Sequence, residues 1–435
     1  MPYMPKLKSL LADRGVAFRQ AFVTTSLCAP SRASLLTGQY AHNHMVRSNQ
    51  LPEGGEEVFA AAGHESSNVA IWLKAAGYRT ILIGKYINAY PTGSPLYAPP
   101  GWDDWHADFA PAGEPDSGNY LDWILNDNGV LSRSSGGQDD YLTDVLTKRA
   151  VSAIQQAAAG TQPFFLYLAP PNPHTPALRP IRYSATFGDL QAPRTPSFNE
   201  FDLSNEPAWL RDYQPFTDGD IRRLDELYRD RLASMLPVDD MIEQVVETLQ
   251  AAGKLDSTYV VFSSDNGFLI GPHRFPHGKG AAFEESIRVP LVVRGPGVPP
   301  GQTQDALVLN IDMAPTLAAW ARASTPEVDG RSLDVLLKGP TPADWRKDFL
   351  VEHWQNVSDP DDPSKLRGGI PTHAAVRTQT AKYVEYVTGE TEFYDLVRDP
   401  FELDNVASSV AASAIQPLQV RLPVLKACRG STCRN

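Results

Sequence analysis

Phe164-Phe-Leu-Tyr-Leu-Ala169 is an apolar, partly aromatic run that stops at Pro170-Pro-Asn-Pro-His174-Thr-Pro176. A run this short, closed off by prolines, reads as a strand buried on both faces. It comes after residues 142–158, whose apolar positions recur at helical spacing. The same alternation continues outward in both directions. Residues 21–25, 80–83, 259–262 and 291–293 form further short β-branched or apolar runs, and 69–76 and 221–249 read as helices. Short buried strands alternating with helices predict an α/β fold, a mixed and mostly parallel sheet covered by helices on both faces. Near residue 340 the pattern changes. Residues 348–354, 374–378, 383–387 and 391–396 alternate like antiparallel strands, and 411–426 could close them as a helix. The expected division is therefore residues 1–340 as the main domain and 341–435 as a small C-terminal α+β subdomain.

Composition sets the bounds. Hydrophobic residues at 42% and charged residues at 21% exclude wholesale disorder. The 37 prolines in 435 residues exceed the usual share of about 5% and point to long ordered loops. A net charge of −12 argues against nucleic acid or an anionic membrane surface as partner. No apolar run approaches the roughly 18 residues of a membrane span, and Met1–Lys6 has no signal-peptide core. Of three cysteines, Cys428 and Cys433 suit a small disulfide loop, which implies an oxidising compartment. Cys28 is left over.

The functional signal lies in the residues just beyond each strand. The runs lead to Gly84-Lys85, to Pro173-His174, to Ser264-Asp265-Asn266-Gly267 and to Cys28. Open α/β sheets bind ligands beyond the carboxyl ends of their strands. A lysine, a histidine, an Asp-Asn pair and a cysteine should therefore collect on one edge. In Cys28-Ala-Pro-Ser-Arg32-Ala-Ser-Leu-Leu-Thr-Gly38, Pro30 fits an early helical position and Gly38 a helix stop. One short helix should start at Cys28 and carry Arg32 one turn on, facing the same way. A nucleophile there, backed by an arginine and unpaired N–H groups, suits attack on an anionic ester.

The same block, Cys-x-Pro-Ser-Arg-x-x-Leu-x-Thr-Gly, resembles the signature of type I sulfatases, in which the cysteine is oxidised to formylglycine. The resemblance runs on through Gly77-Tyr-Arg-Thr80, Gly84-Lys-Tyr86, Pro99-Pro-Gly-Trp102, Pro173-His-Thr-Pro176, Ser264-Asp-Asn-Gly267, Gly278-Lys-Gly280, Arg288-Val-Pro290 and Tyr394-Asp-Leu396 with Asp399-Pro400. Gly84-Lys-Tyr-Ile-Asn88 and Tyr228-Arg-Asp-Arg231 are similar to the N-acetylglucosamine-6-sulfatase-like and arylsulfatase branch. The resemblance implies an alkaline-phosphatase-like fold and hydrolysis of aryl or sugar sulfate monoesters. Formylglycine at position 28 would be hydrated, one hydroxyl would attack sulfur, and the second would later expel sulfate. Arg32 would steady the nucleophile, Lys85 and Lys279 would neutralise sulfate oxygens, and His174 would serve the leaving oxygen. His273 is placed at the pocket mouth as a further substrate contact. Asp265, Asn266 and the residue at 28 would hold Ca²⁺, with Mg²⁺ as the alternative. A formylglycine-generating enzyme would be the maturation partner, and the full-length protein would be secreted, periplasmic or extracellular.

Around the site, His42-Asn-His44 reads as support behind the helix, Asp312 as a helix N-cap, Glu284 and Glu285 as structural, and Asn356-Val-Ser358 as a glycosylation sequon only in a host that glycosylates secreted proteins. Two departures matter. Family members open with a strand ending in adjacent aspartates that supply two more metal ligands; no Asp-Asp pair precedes Cys28 here, and Asp103-Asp104 belongs to another block. The expectation is that Met1 or Met4 is internal to a longer chain, and that without those ligands metal binding is weak, activity low and the sheet gapped. The second departure is Ile87, where many sulfatases carry a histidine; the branch lacks it too. Competing expectations are a phosphonate monoester or phosphodiester hydrolase, and a catalytically impaired sulfatase-like binding protein.

Overall fold

The computed structural model describes residues 2–109, 120–355 and 369–434; the Asn356–Ser358 sequon lies outside the described residues. Phe164–Ala169 is a strand and pairs in parallel with Arg79–Lys85, Leu166 opposite Ile81. Arg79–Lys85 pairs in parallel with Asp104–Phe109, and two antiparallel strands, Ile124–Asp127 and Val130–Arg133, complete a five-stranded sheet. A four-stranded sheet takes Gln302–Gln304, Val16–Phe18, Leu291–Arg294 and Val260–Ser263 in that order. Both sheets are mixed in direction.

Shared helical layers hold the two sheets together. On one face the long helix Asp218–Ala251 sets Met241 against Ile81 and Leu125 of the first sheet, and Val246 against Val292 of the second. On the other face, Leu35 of helix Cys28–Thr37 and Leu317 of helix Met313–Ala321 touch the hydrophobic clusters of both sheets. The strands facing this shared space are Phe164–Ala169 and Val260–Ser263. Among the described residues each pairs with a neighbour on one side only, and most of their side chains are half-buried.

The long helix begins with a capping box. The Thr217 hydroxyl accepts from the Asp220 N–H at 3.2 Å, and the Asp220 carboxylate accepts from the Thr217 N–H at 2.9 Å. Pro237 interrupts its hydrogen-bond ladder, and one turn earlier the Ser234 carbonyl accepts from Asn172 Nδ2 at 2.6 Å. That contact ties the Pro170–Pro176 loop to the helix.

Residues 21–25 were expected as one strand, but only Ala21–Phe22 is, paired in parallel with Val308–Leu309. Beyond it the backbone turns to other partners: Val23 N–H donates to the Ile287 carbonyl at 2.8 Å and Thr24 N–H to Asn310 Oδ1 at 3.2 Å. Asp312 stands at the N-cap position of Met313–Ala321, but its side chain makes no capping hydrogen bond to that helix. Its buried carboxylate accepts from Leu309 N–H and Arg331 N–H, each at 2.8 Å, and pairs with Arg346.

Four antiparallel strands, Asp348–His353, His373–Thr378, Ala381–Tyr386 and Thr391–Asp395, form the C-terminal sheet, covered by helix Ala412–Lys426. Phe349, Val376 and Val384 share a core with Phe22, Tyr40 and Leu307 of the main body. Cys428 and Cys433 form a disulfide. No helix among the described residues is long and apolar enough to cross a membrane.

Candidate active site

Helix Cys28–Thr37 starts from an extended Leu27 with no side-chain cap. Asn49 supplies what the cap lacks, Oδ1 accepting from the Ala29 N–H at 2.9 Å, and Pro30 has no N–H to satisfy. Gly38, at φ 70°, ends the helix in the left-handed conformation that glycine adopts without a Cβ penalty. Cys28 therefore sits at a helix N-terminus and is buried.

The other groups arrive from strand ends. Gly84 lets Arg79–Lys85 come close to its neighbour: its φ is 101°, and a Cβ there would lie 2.2 Å from the Ala169 carbonyl oxygen. Lys85 comes directly after it and is buried. Asp265 stands just past Val260–Ser263, and Lys279 just past the short strand His277–Gly278. Lys279 Nζ lies 2.7 Å from Cys28 Sγ and 3.4 Å from Asn266 Oδ1. Arg32 donates from Nε to Asp265 Oδ2 at 2.9 Å and from Nη1 to the Lys85 carbonyl at 2.8 Å. Cys28, Arg32, Lys85, Asp265, Asn266 and Lys279 are thus brought together as one constellation.

Its electrostatics are cationic. Burial alone would raise the Asp265 pKa, but Arg32 foremost, then Lys279 and Lys85, hold it at about 2. Burial works against the Arg32 charge, yet Asp265 keeps its guanidinium above its ordinary range. The arrangement suits an incoming anionic ester near Cys28, with the arginine immobilised by its own ion pair.

His174 stands on the loop after Phe164–Ala169. Its Nδ1–H donates to the Thr175 carbonyl at 2.8 Å, and its own carbonyl accepts from Tyr120 Oη at 2.7 Å. His273 does not reach the pocket mouth. It is fully buried, its Nδ1 2.7 Å from Glu200 Oε2 and its ring stacked on Phe283 at 3.9 Å, so it is a core residue. His42 and His44 do stand behind the helix: His44 Nε2 lies 2.9 Å from Ser34 Oγ, and His42 bridges Glu352 and the Cys428 carbonyl. Glu284 is held by Arg377 and Lys382, away from chemistry.

Arg231, the last residue of the Tyr228-Arg-Asp-Arg231 motif, also belongs here, although sequence reasoning gives it no role. From the long helix its Nη1 donates to the Pro173 carbonyl at 2.7 Å, and its guanidinium lies 3.8 Å over the Phe268 ring. A sequence signal existed. Arg231 falls on the stripe of Leu224, Ser234, Val238 and Met241, all buried, where a charge is out of place.

The described residues do not by themselves fit a divalent cation. Asp265 is committed to Arg32, Asn266 Oδ1 faces the Lys279 ammonium, and the cleft already holds an excess of cations. Ca²⁺ takes six to eight oxygen ligands. Among the described residues no group of three or more His, Cys, Asp or Glu side chains converges to hold one.

Comparison with known proteins agrees with this geometry. The family profile "Sulfatase" matches residues 1–323, and "N-sulphoglucosamine sulphohydrolase, C-terminal" matches residues 271–427. The chain is 34% identical over 466 residues to human N-acetylglucosamine-6-sulfatase, covering 100% of this chain and 83% of that protein. A solved structure of a protein in complex with its substrate D-glucosamine-2-N,6-O-disulfate superposes with a TM-score of 0.77 at 24% identity, covering 97% of this chain and 92% of that one. The phosphonate monoester hydrolase of Silicibacter pomeroyi superposes at 0.72 with 25% identity, covering 96% and 89%. A cysteine at a helix N-terminus ringed by Arg32, Lys85 and Lys279, together with a profile match over most of the chain, makes this protein a sulfuric ester hydrolase of the sulfatase family.

Proposed function

We propose that the chain hydrolyses sulfate monoesters of aminosugars, with the residue at position 28 acting as nucleophile in its formylglycine form. The observation that carries this is the Lys279 ammonium 2.7 Å from Cys28 Sγ, at a helix N-terminus, with Arg32 fixed one turn away. The hydrated aldehyde supplies an oxygen nucleophile, which a thiol cannot. Lys279 and Lys85 draw the sulfate group down and balance charge on its oxygens as the ester bond breaks. Arg32, held by Asp265 and by the Lys85 carbonyl, fixes the nucleophile's direction. His174, as the imidazolium with its Nδ1–H held by the Thr175 carbonyl, would be the proton donor to the leaving oxygen. The similarity to N-acetylglucosamine-6-sulfatase supports an aminosugar as the alcohol. The Cys428–Cys433 disulfide supports folding in an oxidising compartment, secreted or periplasmic.

The test is the mass of the tryptic peptide Gln20–Arg32 from protein purified from its native host. Formylglycine lowers it by about 18 Da relative to the thiol. A thiol persisting in active protein sinks the proposed nucleophile. The second reading, phosphonate ester hydrolysis, is favoured by the likeness to the Silicibacter enzyme. Relative kcat/KM on an aryl sulfate and an aryl phosphonate decides between the two, and the proposal requires sulfate to lead.

A further inference from the structure

We infer that His42 is a positioning residue that works as a proton-dependent clasp. As an imidazolium it ties the C-terminal sheet and the disulfide loop to the segments that flank the nucleophile helix, and loss of its proton releases them. That this helix carries the nucleophile rests on the sulfatase reading above; the clasp itself does not.

The geometry asks for both ring protons. His42 stands on the short helix Ala41–His44, next after Cys28–Thr37. Its Nδ1 lies 3.0 and 2.9 Å from the two carboxylate oxygens of Glu352, and its Nε2 lies 2.9 Å from the Cys428 carbonyl. A carboxylate and a carbonyl only accept, so each ring nitrogen must donate, and only the imidazolium has two N–H groups. Glu352 is buried on strand Asp348–His353, and among the described residues His42 is the one cation that forms an ion pair with it. A neutral His42 would leave that carboxylate uncompensated and turn a ring lone pair toward one of the two acceptors. Burial works against the His42 charge. Glu352 foremost, with the Cys428 carbonyl and Asp329, outweighs it and holds the pKa above the ordinary value of about 6.5. The other titratable groups around it are His44 on the same helix, kept neutral by burial, and the Tyr40 ring, stacked on it at 5.6 Å.

The clasp reaches the nucleophile helix through Asp329. The Asp329 carboxylate accepts from the Tyr40 N–H at 2.7 Å, from Asn43 Nδ2 at 2.9 Å and from the Gly430 N–H at 2.7 Å. Asn43 Nδ2 also donates to the Cys428 carbonyl, at 3.0 Å. The N–H groups of Asp329 and Gly330 donate in turn to the carbonyl of Gly38, the glycine that ends Cys28–Thr37, at 2.9 and 3.0 Å. On the other side, the Glu352 N–H donates to the Thr24 carbonyl at 2.8 Å, on the approach to Cys28. Both ends of the helix are therefore held by groups that His42 joins. Because the folded pKa is raised, the clasp is fully closed below about pH 6.5 and opens as pH rises through the folded value.

The experiment is hydrogen–deuterium exchange of the full chain at pH 6 and pH 9, corrected for the intrinsic rate. It is read in peptides holding residues 38–45, 329–330 and 428–434. Protection is counted relative to strand Thr391–Asp395, which carries the separate titration of Glu392. Wild type should lose about tenfold or more of its protection in all three at pH 9, the equivalent of one pKa unit. Glu352→Gln is the decisive variant. Its amide N–H donates to Nδ1 of a neutral ring whose Nε2–H keeps the Cys428 carbonyl, so the clasp closes without a proton and protection should be equal at both pH values. His42→Ala should exchange fast at both. Wild-type protection that does not change with pH overturns the inference, and so does a pH dependence that survives in Glu352→Gln. Slow exchange in His42→Ala, or a pH response confined to residues 428–434, overturns it too, because the loop and the helix would then be uncoupled. Where His42→Ala does not fold, the comparison of wild type with Glu352→Gln still decides. Protein that exchanges as expected but does not hydrolyse an aryl sulfate fails the sulfatase reading and leaves the clasp standing.

Discussion

On the proposed function Lys279 and the Arg32–Asp265 pair would divide the work at the residue scale, and the loss of each should fail in its own way. Lys279→Ala removes the ammonium beside the nucleophile. On aryl sulfate kcat should fall by about a hundredfold or more while the melting temperature moves little, because Lys279 neutralises charge rather than holding the fold. An unchanged kcat would remove Lys279 from the mechanism. Asp265→Ala leaves the buried Arg32 guanidinium uncompensated, and breaking such a pair costs about 3 kcal/mol of stability, read as a lower urea midpoint. Adding millimolar Ca²⁺ should not raise the melting temperature of the 435-residue chain, since its donors are already engaged. Asp265 was legible because it stands just past a strand end, Arg32 from its place one turn into the helix that starts at Cys28, and Lys279 only through the resemblance of Gly278-Lys-Gly280. His273 was misread because its neighbouring prolines mimic an exposed loop, whereas its imidazole is turned inward to Glu200. Arg231 went unplaced because helical spacing reveals a face but not what that face meets.

Among the elements, helix Cys28–Thr37 depends on the glycine that ends it. Gly38→Ala puts a Cβ into the left-handed region, 3.2 Å from the Val328 side chain, and should cost about 1–2 kcal/mol. The C-terminal sheet carries its own titration. Burial first, then the Glu392 charge, pushes Glu206 up to about 10; burial outweighs Lys382 and leaves Glu392 at about 8. Both bind protons more tightly folded than unfolded, so their stabilisation is complete below the unfolded value of about 4.5 and is lost as pH rises through 8 to 10. Buried His353, at about 4, and His373, at about 3, act oppositely: desolvation keeps them neutral, and stability falls as pH drops below about 6.5. Melting temperature should therefore be higher at pH 6.5 than at pH 9, and Glu206→Gln should flatten that slope. An equal or higher value at pH 9 contradicts the assignment. The elements that the sequence named fall mostly within two or three residues of their places because apolar runs buried on both sides announce themselves. Val16–Phe18, Asp104–Phe109, Ile124–Asp127 and Val130–Arg133 were not read from it, and helix Met313–Ala321 only through its cap. The run at 21–25 was cut short by loop and side-chain partners that periodicity does not record.

Taken whole, the molecule is an acidic body, net −12, around a cationic cleft. On the proposed function a short sulfated sugar would enter that cleft, whereas a long sulfated polymer would meet like charge outside it. Retention on a heparin column should be absent at about 0.15 M salt, where exposed charges are screened beyond roughly 8 Å. Strong retention would reveal a basic track on the surface. The two half-covered strands, Phe164–Ala169 and Val260–Ser263, have a different consequence at this scale. A row of backbone N–H and C=O groups with no second neighbour among the described residues is a template for any extended chain that can complete its ladder. In a concentrated stock the nearest such chain is a loosened segment of another copy, so clumping by strand addition, rather than loss of the cleft, should limit how long the protein stays in solution.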